Sequence, residues 1–274
     1  RESGQSCQNL RSGCRSRTPK KLSAQDRSDS RGLIHVKRGC EGAPNVGRRS
    51  GFEMAIHFKN DVGSHEVSVG SLRLPGTLQI PHGAFCLIVF AHGSGSSRSS
   101  PRNRMVADAL NKAGMATLLF DLLKPEEEPA HHRAKVFDIP LLSRRLSEAV
   151  EWVDRNTPLS KIPIGLFGAS TGAAAALTVA ANWPDRIGAV VSRGGRPDLA
   201  ADSLAAVSAP TLLIVGGADY GVIELNEQAL ALLGCEKSLE IVPGATHLFP
   251  EADAMERVIA LAAEWFEDHL RARC

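Results

Sequence analysis

The chain has 274 residues, 43% hydrophobic and 23% charged. That is enough apolar side chain for one large globular domain or two small ones, and too much for a chain disordered throughout. Its 32 basic and 30 acidic residues leave a formal +2, which by itself points to no polyanionic partner, but residues 1–52 carry 12 Lys/Arg against 4 Asp/Glu and the remainder 20 against 26.

The front segment has no apolar periodicity beyond Leu33-Ile34-His35-Val36. Residues 1–53 therefore read as a disordered basic tail or a non-native leader, and residues 54–274 as one folded domain starting at Met54. No aromatic precedes Phe52 to stack on bases, so the tail does not favour a nucleic-acid partner. Arg48-Arg49 is followed by Lys59 and Asp61 where a signal sequence needs an apolar stretch, and no secretory signal is evident. The six cysteines show no CxxC or metal-type spacing, which points to a cytoplasmic protein without a disulfide framework. Cys86, inside an apolar run, reads as a buried small hydrophobe.

From there short apolar runs alternate with amphipathic stretches. The spacing predicts strands over His65–Val69, Thr77–Ile80, Phe85–Phe90, Ala116–Phe120, Ile162–Phe167, Ile187–Val191, Thr211–Val215 and Ser238–Val242. The first two are close enough for an antiparallel lead-in. After Phe85 each strand is followed by a helical stretch, which predicts an α/β fold with a mostly parallel sheet of about seven or eight strands and helices on both faces. Leu142, Leu146, Ala149, Val150 and Val153 share one face of a helix over Ile139–Arg155. Met255, Val258, Ile259, Ala262, Trp265 and Phe266 do the same in the last helix. The uncharged run Ile162–Pro184 is long enough to cross a bilayer, but Gly168-Ala169-Ser170-Thr171-Gly172 interrupts it. A buried strand, a sharp turn and an Ala-rich helix explain it better, and no membrane span is expected.

That interruption is a G-x-S-x-G sequence between a predicted strand and a predicted helix. A serine nucleophile needs this arrangement: a strained turn lifts the hydroxyl out of the sheet, and small flanking residues let strand and helix approach. Serine also needs a base, itself oriented by a third group. Thr211–Val215 runs into Gly216-Gly217-Ala218-Asp219, and Ser238–Val242 into Pro243-Gly244-Ala245-Thr246-His247. Ser170, Asp219 and His247 thus follow in the order nucleophile, acid, base, the latter two just past strand ends where loops of a parallel sheet converge. Asp121 and Asp198 are alternative acids. Phe90-Ala91-His92-Gly93-Ser94-Gly95 follows another strand end and supplies an oxyanion loop, with the backbone N–H groups of Ser94 and Thr171 as the two donors. Gly93 and Gly95 do not begin a dinucleotide loop, since Arg98 stands where its third glycine belongs.

On these residues the chain, from about residue 65 onward, resembles the α/β-hydrolase superfamily, most closely its dienelactone-hydrolase-related branch. The resemblance implies a compact fold with no large cap domain. Dienelactone hydrolases proper carry cysteine in the elbow, whereas position 170 is serine, which favours ordinary ester chemistry. Val191-Ser192-Arg193-Gly194-Gly195-Arg196-Pro197-Asp198 is similar to a segment of close relatives of that branch. Arg193, past a strand end, either holds an acidic substrate group near Ser170 or pairs with Asp198 or solvent. Tyr220 and Phe249, beside Asp219 and His247, are candidate substrate-binding walls or core packing.

Glu126-Glu127-Glu128 with His131-His132 has metal-ligand residue types but not the i, i+4 pairing of a zinc protease helix, so no metal is assigned. The surrounding stretch Leu122–Asp138 reads as the rim of the pocket. The expectation is a cofactor-free serine hydrolase acting on small or short-chain carboxylic esters. The same residues directed at a lactone, a thioester or a peptide-like amide, or a catalytically silent hydrolase-fold binding protein, are the alternatives.

Overall fold

The computed structural model describes residues 62–127 and 135–271. The front segment, and Glu128, His131 and His132 of the acidic loop, lie outside the described residues.

Eight strands form one sheet: β1 Gly63–Val69, β2 Leu74–Ile80, β3 Leu87–Ala91, β4 Ala116–Phe120, β5 Ile164–Ala169, β6 Ile187–Arg193, β7 Thr211–Gly216 and β8 Lys237–Val242. Their spatial order is β1-β2-β4-β3-β5-β6-β7-β8. The pairs β1–β2 and β2–β4 are antiparallel and all others parallel. β5 starts later than Ile162 because Pro163 has no N–H for the ladder, although its carbonyl still accepts from Leu87 N–H at 2.9 Å.

Among the described residues there are six α-helices: α1 Pro101–Lys112, α2 Ile139–Asn156, α3 Thr171–Asn182, α4 Ala201–Leu204, α5 Tyr220–Leu232 and α6 Ala254–Leu270. Asp138 caps α2 by accepting from Leu141 N–H at 3.0 Å, and Pro140 sits in its first turn where no donor is missed. Alternating strand residues feed two cores. Leu87, Val89, Ile164 and Leu166 pack with α2 and α3 on one face. Ile88, Phe90, Phe167 and Ile214 pack with α1 and α6 on the other. Both faces are therefore covered, as a parallel sheet requires. No helix among the described residues is long and apolar enough to cross a membrane, and Ile162–Pro184 resolves into β5, a turn and α3.

The strand order reverses at β3, which lies between β4 and β5. The crevice outside the carboxyl ends of β3 and β5 is where ligands bind in open α/β sheets. The loop from His92 to Ser100 and the turn at Ser170 open there.

Candidate active site

Ser170 occupies the one-residue turn between β5 and α3 with φ 51° and ψ −123°. A non-glycine residue held there stores of order 1–3 kcal/mol of strain, a cost that surrounding structure must fix in place. Gly172 shows how: a Cβ built there would come 2.1 Å from the Ala91 carbonyl oxygen, so α3 sits directly against the end of β3. Ser170 is the N-cap of α3, the position where serine ordinarily accepts from the helix's own N–H groups, yet its side chain makes no capping bond. The turn withholds the hydroxyl from the helix and leaves Oγ for other chemistry.

Asp219 repeats this arrangement. It is the N-cap of α5, also makes no capping bond, and its Oδ2 meets His247 Nδ1 at 2.7 Å. An ionised carboxylate only accepts, so Nδ1 carries the proton and Nε2 presents a lone pair. The two loops are knitted together by Ala218 N–H to Ala245 O at 2.9 Å and Gly217 N–H to Val242 O at 2.8 Å. Ser170 and His247 both border the segment after β6. Ser170 N–H donates to Arg193 O at 3.3 Å, and a Cβ on Gly194 would lie 2.9 Å from His247 O and 3.6 Å from its Nδ1. The acid–base pair is closed in this structure, while Ser170 Oγ and His247 are not hydrogen-bonded to each other; such bonds commonly tighten only when substrate is present.

Of the two expected oxyanion donors, Thr171 directly follows the serine and Ser94 follows a glycine packed against it. Thr171 is buried at the first position of α3, where amides have no partner within the helix. Ser94 follows Gly93, and Gly93 abuts the nucleophile: a Cβ there would stand 2.8 Å from Ser170 Cβ and 3.5 Å from Oγ.

One more residue of the loop after β3 holds that loop in place. His92 is buried, and its Nε2 accepts from Leu122 N–H at 2.9 Å. Its other nitrogen, at 3.1 Å from Gly93 O, must therefore be the donor. Burial holds its pKa below the ordinary 6.5 against the opposing pull of the Gly93 carbonyl and Asp121, so the ring is a neutral clamp between the oxyanion loop and the end of β4. A His-Gly pair after a strand was its only signal. Asp121 is itself engaged with that loop: it accepts from Arg98 N–H at 2.7 Å, and the Arg98 guanidinium reaches Asp121 at 3.5 Å and Glu66 at 3.0 Å. Asp198 is held by Arg196 at 2.7 Å. Neither alternative acid meets His247.

Arg193 ends β6, buried, and does not pair with Asp198. Tyr220 is 72% exposed on the first turn of α5, which rules out core packing for it. Phe249 belongs to the core of the α1/α6 face and lies against Gly194 and the Arg193 guanidinium. At the rim, Arg145 is 5% exposed and grips both oxygens of Glu127 at 2.7 and 2.9 Å, and Lys135 adds a bond at 3.1 Å. Arg145 thereby pulls the Glu127 pKa from 4.5 to about 2.

The family described as alpha/beta hydrolase fold matches residues 87–238. A crystal structure of dienelactone hydrolase from Anabaena variabilis is 52% identical with a TM-score of 0.73, covering 77% of this chain and all of that one. Est1E from Butyrivibrio proteoclasticus shares the fold at 16% identity and a TM-score of 0.63, over 76% of this chain and 98% of its own. Two curated Mycobacterium tuberculosis proteins, each named "Putative phosphoribosyl transferase", are 55% identical over 205 residues, 75% of this chain. The matched stretch spans 46% of their length.

Proposed function

The chain belongs to the α/β-hydrolase family, in the branch related to dienelactone hydrolase, and from that premise we propose that it is a serine hydrolase cleaving small carboxylic esters. The observation that carries the reading is the 2.7 Å bond from His247 to Asp219. It gives the imidazole the tautomer a serine nucleophile requires, beside a serine whose hydroxyl the helix leaves unused.

The steps follow from these groups. Ser170 Oγ attacks the ester carbonyl carbon while His247 Nε2 takes its proton. The carbonyl oxygen becomes an oxyanion held by the amides of Ser94 and Thr171, at the positive end of α3. Collapse breaks the bond to the alcohol oxygen, which leaves with the proton from His247. Water then attacks the acyl-enzyme, giving its proton to His247, and the second collapse returns that proton to Ser170. Asp219 keeps the ring oriented and stabilises the imidazolium without itself taking a proton. No cofactor or metal enters these steps.

Serine at 170, with no large cap among the described residues, supports simple esters ahead of the lactone that names the Anabaena relative. The transfer reaction in the name of the Mycobacterium relatives belongs to proteins more than twice as long as the matched stretch, and it is not carried over. A fluorophosphonate probe is expected to label Ser170, and p-nitrophenyl acetate to be turned over. A folded protein that does neither is a hydrolase-fold binding protein instead.

A further inference from the structure

Arg193 is 6% exposed and starts beside the nucleophile, its own carbonyl taking the Ser170 N–H. Its guanidinium finds little inside the protein. Nη2 reaches Asn103 Oδ1 on α1 at 3.4 Å, and the Phe249 ring centroid lies 6.0 Å away. Nε and Nη1 are buried and have no partner. The nearest acid in sequence, Asp198, is held by Arg196 through two bonds at 2.8 and 2.7 Å. A second cation adds to the imbalance. Arg102, in the first turn of α1, has a buried Nε that also lacks a partner, and it repels Arg193 electrostatically. Burial first, and Arg102 second, bring the Arg193 pKa down to about 10, so the group stays charged at neutral pH.

A buried, unpaired guanidinium is among the costliest groups a fold can retain, and a like charge beside it raises the cost. Packing does not demand it here, since a Met or Leu would fill the same space between α1 and Phe249 without that cost. An anion resolves the imbalance. It satisfies the free N–H groups, neutralises Arg193, and meets the positive end of a 12-residue helix whose first turn carries Arg102 and Asn103.

We infer that Arg193 and Arg102 form a subsite for a dianionic phosphate group on the substrate of the esterase site, an inference that rests on the reading above. Three buried guanidinium N–H groups lack partners, Nε and Nη1 of Arg193 and Nε of Arg102, and the several oxygens of a phosphate monoester suit them better than the two of a carboxylate. The cleft lined by Arg102 and Phe249, about 300 Å³, also carries Glu251, Asp253 and Glu256, which repel an anion there, so on this proposal the anion enters from the Ser170 side. An ester of a phosphorylated alcohol or acid would then rest its charged end on the arginines with the carbonyl at Ser170.

The test is titration of the full chain with inorganic phosphate, followed by 31P NMR and calorimetry, alongside p-nitrophenyl acetate turnover. Phosphate is expected to bind wild type and Ser170→Ala alike and to inhibit turnover competitively. Arg193→Gln and Arg102→Gln are each expected to weaken binding at least ~10-fold. Circular dichroism checks that each variant is folded, and the half-buried Arg102 carries the test should Arg193→Gln unfold. Turnover without phosphate binding, or binding unchanged in Arg102→Gln, overturns the subsite. Tighter binding of acetate than of phosphate overturns the phosphate assignment in favour of a carboxylate. Phosphate binding lost in the arginine variants, in a protein with no turnover and no probe labelling, supports the subsite and overturns the esterase reading.

Discussion

Asp219 and His247 share a 2.7 Å hydrogen bond although they lie in the loops after different strands, β7 and β8, and are 28 residues apart. Replacing Asp219 by Asn keeps the shape of the pair but supplies a donor where Nδ1–H needs an acceptor, so the ring turns to the wrong tautomer. Asp219→Asn is expected to lower kcat on p-nitrophenyl acetate about 10⁴-fold with little change in KM. Ser170→Ala is expected to abolish the burst of p-nitrophenol. Steady-state and burst kinetics check both, and turnover unchanged in either variant removes the residue from the mechanism.

His92 works at one remove from the chemistry, as a positioning residue. His92→Asn cannot span from Gly93 O to Leu122 N–H, so the Ser94 amide shifts away from the oxyanion. We expect kcat to fall between ~10- and 10³-fold, up to the loss of one donor. The acid limb changes too. Folding favours neutral His92, so the unfolded chain binds more protons below pH 6.5, and stability present above that value declines as pH falls. Urea melts from pH 7 to 5 are expected to show a shallower decline in His92→Asn than in wild type.

Glu127, on the rim, acts in the same direction at lower pH. Its folded pKa, about 2 against an ordinary 4.5, means its contribution is complete above pH 4.5 and is lost as pH falls toward 2. Glu127→Gln leaves buried Arg145 without its counter-charge and is expected to cost about 3 kcal/mol at pH 7. The gap between the two proteins should close as the pH is lowered from 4.5 toward 2. Denaturant unfolding at pH 7, 4.5 and 3 measures it, and a constant gap contradicts the assignment.

Two glycines close in sequence to site residues separate crowding from propensity. Gly172→Ala drives a methyl group into the Ala91 carbonyl, backbone against backbone, and is expected to cost at least ~3 kcal/mol. Gly221→Ala, on α5 with nothing within 4 Å, is expected to gain about 0.5 kcal/mol. Thermal melts of the pair compare them directly.

The strands were legible because each is a short apolar run bounded by turn residues, and α2 and α6 because their stripes recur at helical spacing. α1 and α5 were not marked individually: α5 fully buries only Asn226 and Ala229, so no strong periodicity reaches the sequence. The proposed site residues Ser170, Asp219 and His247 were readable because each follows a strand end and the topology sends those ends to one edge. What escaped was coupling between distant residues. Arg193 and Asn103 are 90 positions apart, and nothing in either neighbourhood announces that α1 brings a second arginine to the first. The His92 clamp escaped for the same reason, since its partner Leu122 lies 30 positions on.

Ser170 and Asp219 each stand where a side chain ordinarily secures the start of a helix, and neither does so. A lineage with no use for the hydroxyl gains by abandoning it. Glycine at 170 accepts a φ of 51° without strain, and Ser170→Gly is expected to melt several degrees above wild type while hydrolysing nothing. The strain at 170 is thus stability forgone to keep an oxygen at that turn.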